Sequence, residues 1–137
     1  MKIILLIMIG LSILHADFTK SGDIVRDNVS KLQWQDDAVG STMTWESAIG
    51  LCEGLTLGGH SDWRLPNINE LKSIADRSKV NPAIVTGFTN TSSGNDWSST
   101  TYERDKSYVW IVNFRYGGVH YNSKGNSNYV RCVRDGQ

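Results

Sequence analysis

The run SDWRLPNINEL at 61–71 decides the fold. Asn67 and Glu70 stand at the spacing of a capping pair, two side-chain acceptors for the free amides at a helix start. Pro66 disfavours helical geometry at Leu65, so the chain enters that helix from an extended approach. Behind the cap, Ile68, Leu71, Ile74 and Ala75 recur at three- and four-residue steps. They predict a buried stripe on a helix that ends near 76–78. Arg64 precedes Glu70 by six residues and is placed to pair with it. A guanidinium there either organises the corner or offers a bidentate fork to a sulfate or carboxylate.

Upstream, TWESAIGLCEGL at 44–55 puts Trp45, Ala48, Ile49 and Cys52 on one helical face, with Thr44 as N-cap and Glu46 in the first turn. Gly58 and Gly59 close this element. Earlier still, DIVRDN at 23–28 and KLQWQDD at 31–37 read as a β-hairpin turning at 28–30, with Trp34 on its buried face. Downstream, 81–95 is irregular and rich in Asn, Ser, Thr and Gly, too long for a tight turn. Beyond it WSSTTY, SYVWIVNF, GVHYN and YVRCVR alternate with polar or glycine-bearing turns, as antiparallel strands do. The expected fold is α+β: N-terminal hairpin, two helices, long loop and an antiparallel β-rich C-terminal half.

Met1, Lys2, an apolar stretch at 3–14 and the small Ala16 read as a secretory signal cleaved after Ala16. The stretch is shorter than the roughly 20 residues that span a bilayer, so no lasting membrane span is expected. Removing 1–16 from the 137 residues leaves one ordinary domain at 17–137. The 14 basic and 14 acidic residues balance, and losing Lys2 shifts the mature chain by one negative charge. Such a chain has no global electrostatic reason to seek nucleic acid. The expected location is secreted or periplasmic. In an oxidising compartment two cysteines, Cys52 and Cys132, read most simply as one disulfide. A metal pair or a catalytic thiol would need further ligands or an adjacent base.

The chain resembles the C-terminal domain family of the Legionella collagen-like protein. The residues that carry the resemblance are Thr44, Trp45 and Ala48; Cys52; Gly59, Asp62, Trp63, Arg64, Leu65, Pro66, Glu70 and Leu71; Trp97, Ser98 and Ser99; and Arg131, Val133 and Arg134. They agree in order and spacing over about residues 20–135. The resemblance implies an organisation like that of C-type-lectin-like and sulfatase-modifying-factor folds, with an early helix tied to the last strand through Cys52 and Cys132. It further implies a surface or secreted binding module, since the collagen-like relative is an adhesin that recognises sulfated glycosaminoglycans through a trimeric C-terminal domain. Here there is no Gly-X-Y stalk and no basic surplus.

Chemistry is less legible. Trp63, Arg64, Pro66, Glu70, Trp97 and Arg131 read as structural, and so do all five tryptophans, Trp45 and Trp110 included. The oxygen-bearing Asp36, Asp37, Asn95 and Asp96 form no EF-hand loop. His60 and His120 lack zinc-ligand spacing. There is no nucleophile elbow and no phosphate loop, so neither catalysis nor a metal or cofactor is expected. A binding surface is placed on the long loop and on FRYGGVHYNSKGN at 114–126, where Arg115, Tyr116, His120, Tyr121, Asn122 and Lys124 mix cationic, aromatic and amide groups. The expected partner is a glycan, or alternatively a cell-surface or envelope protein bound by a structural component using the same face. An enzyme related to sulfatase-modifying factors is the weaker alternative.

Overall fold

The structure, a computed structural model, describes residues 17–38 and 40–136. The signal segment expected at 1–16 lies outside them. In chain order the elements are β1 (Phe18–Ser21), β2 (Ile24–Asp27), β3 (Gln33–Gln35), α1 (Trp45–Glu53), α2 (Ile68–Ser73), β4 (Asn95–Thr101), β5 (Tyr108–Asn113), β6 (Gly118–Ser123) and β7 (Val133–Arg134). They form two antiparallel sheets, ordered β1-β2-β3-β7 and β4-β5-β6. No helix of the described residues is long and apolar enough to cross a membrane.

The expected N-terminal hairpin is β2 and β3, joined in register with Val25 opposite Trp34. β1 adds a strand that FTKS hardly announces, because two of its four residues are exposed and only pairing with β2 makes it regular. The C-terminal expectation needs a larger correction. YVRCVR does not add a strand to the preceding sheet; only Val133–Arg134 is a strand, and it joins β3 in the first sheet. Its upstream part touches β4 through two bonds only, Trp97 N–H to the Tyr129 carbonyl at 3.0 Å and Tyr129 N–H to the Asn95 carbonyl at 2.8 Å. The chain then crosses to the other sheet. There Val133 also exchanges backbone bonds with Arg64, at 2.8 and 2.9 Å, so the DWRLP segment continues the sheet past β7.

Both helix starts follow from their caps. Thr44 accepts from the Ser47 amide, and Asn67 and Glu70 close a full capping box at 2.8 and 2.9 Å. Glu70 also receives both Arg64 nitrogens, at 2.7 and 2.8 Å, so the pairing expected from sequence is a bidentate bridge at the corner. Asp135 takes a further bond from Arg64 at 2.8 Å.

Residues alternate along β5, and its two faces serve two cores. Val109 and Ile111 pack with Ala48 and Cys52 of α1, Trp63, Leu65 and Trp97. Val112 and Phe114 pack with Leu71 of α2, Ile74, Val25 and Trp34. Cys52 and Cys132 are disulfide-bonded, with Cα atoms 5.5 Å apart, which ties α1 to the approach of β7. Closing a loop of about 80 residues removes roughly 4–5 kcal/mol of unfolded-chain entropy.

A Cys52→Ser, Cys132→Ser double variant should therefore lose about 2–5 kcal/mol in urea unfolding, and a loss well under 1 kcal/mol would show the tie to be dispensable. Arg64→Ala should lose roughly 1–3 kcal/mol, because the half-buried Glu70 is left with an unmatched charge; equal melting midpoints would contradict that role.

Candidate functional site

The strongest candidate is a surface groove of about 510 Å³ between α2 and the β5–β6 turn. Lys72 on α2, Arg77 just after it, and Tyr116, Gly117, Val119 and His120 line it. No carboxylate is among the lining residues. Asp76, beside Arg77 in sequence, is held by the Ser78 amide and hydroxyl at 2.9 and 2.6 Å, and those bonds lower its pKa. Neither Lys72, Arg77 nor His120 takes part in an ion pair among the described residues. The Lys72 and Arg77 cations are therefore open to an outside anion.

Local geometry explains the groove. Gly117 sits at φ +83°, and a Cβ there would meet Arg77 Cγ at 3.1 Å and Ala83 Cβ at 3.4 Å. Only glycine lets the turn approach α2's exit that closely. The Arg115 guanidinium lies over the Tyr116 ring at 5.4 Å, adding a cation to an aromatic surface that is 59% exposed.

The six residues proposed from the hairpin sequence do not form one site. Tyr116 and His120 line the groove, and Arg115 stands beside it over the Tyr116 ring. Tyr121 belongs to a separate aromatic cluster, stacked on Tyr102 with ring centroids 4.4 Å apart. Asn122 is spent on the turn, where its side-chain oxygen accepts from the Ser123 amide at 2.8 Å and from Asn126. Lys124 lies over the Trp45 ring at 4.4 Å, near α1. Strand alternation separates neighbours in sequence onto opposite faces, which a reading by proximity misses. Lys72 and Arg77 were not among the proposed residues; their signal is that they fall outside the apolar stripe Ile68, Leu71, Ile74 and Ala75.

The long loop is anchored at Thr89 and Asn90. The Asp36 side chain, fully buried, accepts from the Thr89 and Asn90 amides at 3.0 and 2.9 Å, from Lys20 at 2.6 Å and from Arg131 at 3.3 Å. Burial alone pushes its pKa up, but Lys20, the two amides and Arg131 outweigh that and hold it below the usual range. Arg131 also donates to the Gln35 and Asn90 carbonyls and covers the Phe88 ring at 4.7 Å. Asp37 and Asp96 line a small cavity beside Arg131, about 10 Å³, the room of one water. Among the described residues no group of three or more His, Cys, Asp or Glu side chains could hold a metal ion. Trp34, Trp63 and Trp97 are buried, while Trp45 and Trp110 are only partly so.

Two antiparallel sheets, two capped helices and a disulfide-tied C-terminal strand define a small α+β domain with a cationic groove on one flank. The chain belongs to the Lcl C-terminal domain family, whose model matches residues 23–134. That span runs from the start of the β2 region to the end of β7 and contains every motif quoted above. No curated protein matches the chain.

Asp96 gives a pH signature. It is 4% exposed, its Oδ1 has no hydrogen-bond partner, and burial pushes its pKa up to about 6 against the pull of Arg131 and Ser92. The folded state thus holds this proton more tightly than the unfolded chain, so the stability linked to it is greatest below about pH 4 and is lost as pH rises to about 6. Asp36 and Glu70, both lowered, work the other way and lose their contribution in acid. Asp96→Asn should be more stable than wild type at pH 7, on the order of 1–3 kcal/mol, with the difference shrinking toward pH 4 in urea unfolding. An Asp96→Asn variant less stable at pH 7 would contradict a destabilising charge at this position.

Proposed function

We propose that this domain is a secreted or periplasmic, non-catalytic module of C-type-lectin-like organisation that binds glycans bearing anionic groups, sulfated glycans foremost. The observation that carries the reading is the groove of Lys72, Arg77 and His120 beside Tyr116, lined by no carboxylate. The chain as a whole is near neutral, so attraction to a polyanion must be local. Guanidinium and ammonium groups in one groove supply both a bidentate fork and a point charge for sulfate. Tyr116 offers an amphipathic face for the sugar itself. The flanking turn is carried on the β5–β6 pair, the usual arrangement for loops that carry recognition on a rigid scaffold.

The test is binding of the purified protein to an array of neutral and sulfated glycans, followed by titration with a heparin-derived hexasaccharide at rising salt. Sulfated glycans should be retained, with affinity falling steeply as salt screens the groove. Lys72→Glu, Arg77→Glu should weaken the hexasaccharide by about tenfold or more, a change of roughly 1.4 kcal/mol or more, without lowering the melting midpoint. No binding across the array, beside reproducible capture of one envelope protein, would reassign the domain as a protein-binding component.

A further inference from the structure

A second surface lies on the same sheet and is not used by the groove. Tyr102, Tyr108, Trp110 and Tyr121 meet at the far end of the β5–β6 pair. Trp110 stands nearly perpendicular to Tyr102 and Tyr121, at 81° and 88°, with centroids 5.1 and 5.9 Å away. Tyr108 meets Tyr121 edge-on at 5.7 Å. Tyr102 and Tyr121 are stacked on each other, so each spends one ring face on its partner. Beside them is a pocket of about 260 Å³ lined by Thr100, Thr101, Tyr102, Glu103, Arg104 and Trp110.

We infer that this pocket is a stacking site for an uncharged pyranose ring in a β-1,4-linked chain. Its lining divides into two aromatic side chains, Tyr102 and Trp110, and a polar set of two hydroxyls, a carboxylate and a guanidinium. A pyranose has that same division, with C–H groups on its faces and hydroxyls around its edge. Glu103 and Arg104 form no ion pair among the described residues, so donor and acceptor are both open to ligand hydroxyls. Glu103 would repel a sulfate, which separates this pocket from the groove, whose lining has no carboxylate. The volume is below the roughly 300–1,000 Å³ of pockets for drug-sized ligands and suits one small ring. Tyr102 is already fixed by Tyr121 and Trp110, so little side-chain freedom is lost on binding. Flat chains with equatorial linkages present the broadest C–H face to such aromatic side chains.

The experiment titrates the purified protein with cellohexaose and with chitohexaose, following tryptophan fluorescence and melting temperature. At least one sugar should give a saturable fluorescence change that is the same at low and high salt. Tyr102→Leu keeps apolar bulk but removes the ring, and should weaken binding about tenfold. Tyr102→Phe keeps the ring and should bind within about twofold of wild type. Arg77→Glu, which disables the groove, should leave neutral-sugar binding unchanged. Absence of binding to both sugars, or a folded Tyr102→Leu protein that binds like wild type, would overturn the inference. A loss in Arg77→Glu would also overturn it, since the two sites would then be one. This inference does not depend on anionic recognition by the groove, and heparin-derived hexasaccharide binding has no bearing on its outcome.

Discussion

Adjacent residues at the last strand, one just before it and one within it, serve opposite sides of the molecule. Cys132 points into the core of α1, Trp63 and Trp97, while Val133 points into the core of α2, Trp34 and Phe114. Strand alternation makes this possible and also makes it unforgiving, because a slip of one residue would exchange every side chain between the two faces. Several contacts fix the register. The disulfide holds Cys132, backbone bonds to Arg64 hold Val133, and Arg134 reaches Asp62 at 2.7 Å and Gln33 at 2.7 Å. The DWRLP corner and the C-terminal strand are therefore one structural unit, although they lie about 70 residues apart in the chain.

Arg131, one residue earlier, extends the same logic to the long loop. Its guanidinium joins the Asp36 carboxylate, the Asn90 carbonyl and the Phe88 ring, and Asp36 in turn collects the Thr89 and Asn90 amides. A buried ion pair of this kind contributes little net stability over an apolar replacement, yet losing one partner strands the other charge at a cost of about 3–5 kcal/mol. What it supplies is a single placement for the part of the loop around Thr89 and Asn90. Two of the loop's polar residues, Thr89 and Asn90, are thus matched to a carboxylate in β3's continuation.

Elements set by local chemistry were legible in the sequence. The Asn67–Glu70 box, the apolar faces of both helices, the burial of Trp34 and the Arg64–Glu70 pair all follow from spacing within six residues. Elements set by distant partners were not. β7 is two residues long and could join either sheet; only the contacts of Val133 with Trp34 and Arg64 assign it. The candidate site divides the same way. Arg115, Tyr116 and His120 were visible as a polar and aromatic cluster, but Lys72 and Arg77 reach them through the close approach at Gly117, a tertiary fact. Trp110 reads as core because its strand is apolar throughout, yet it is partly exposed and covered by tyrosines.

That last departure has a geometric cause that also produces both candidate binding surfaces. α2 has six residues, about 9 Å of helix, whereas the β5 strand beneath it has six residues, about 20 Å long. The helix can roof only part of that face, about Val112. At one end it stops short of Trp110, where Tyr102, Tyr108 and Tyr121 supply the cover and leave a polar-rimmed pocket. At the other end it gives out near Ala75, and Arg77 folds against Gly117 to form the cationic groove. A longer α2 would close both by extending the apolar roof. The capping box fixes where α2 begins and the bond from the Val85 amide to the Ile74 carbonyl, at 2.9 Å, helps fix where it ends. The features that make the corner motif recognisable thus also set how much of the sheet remains open to ligand.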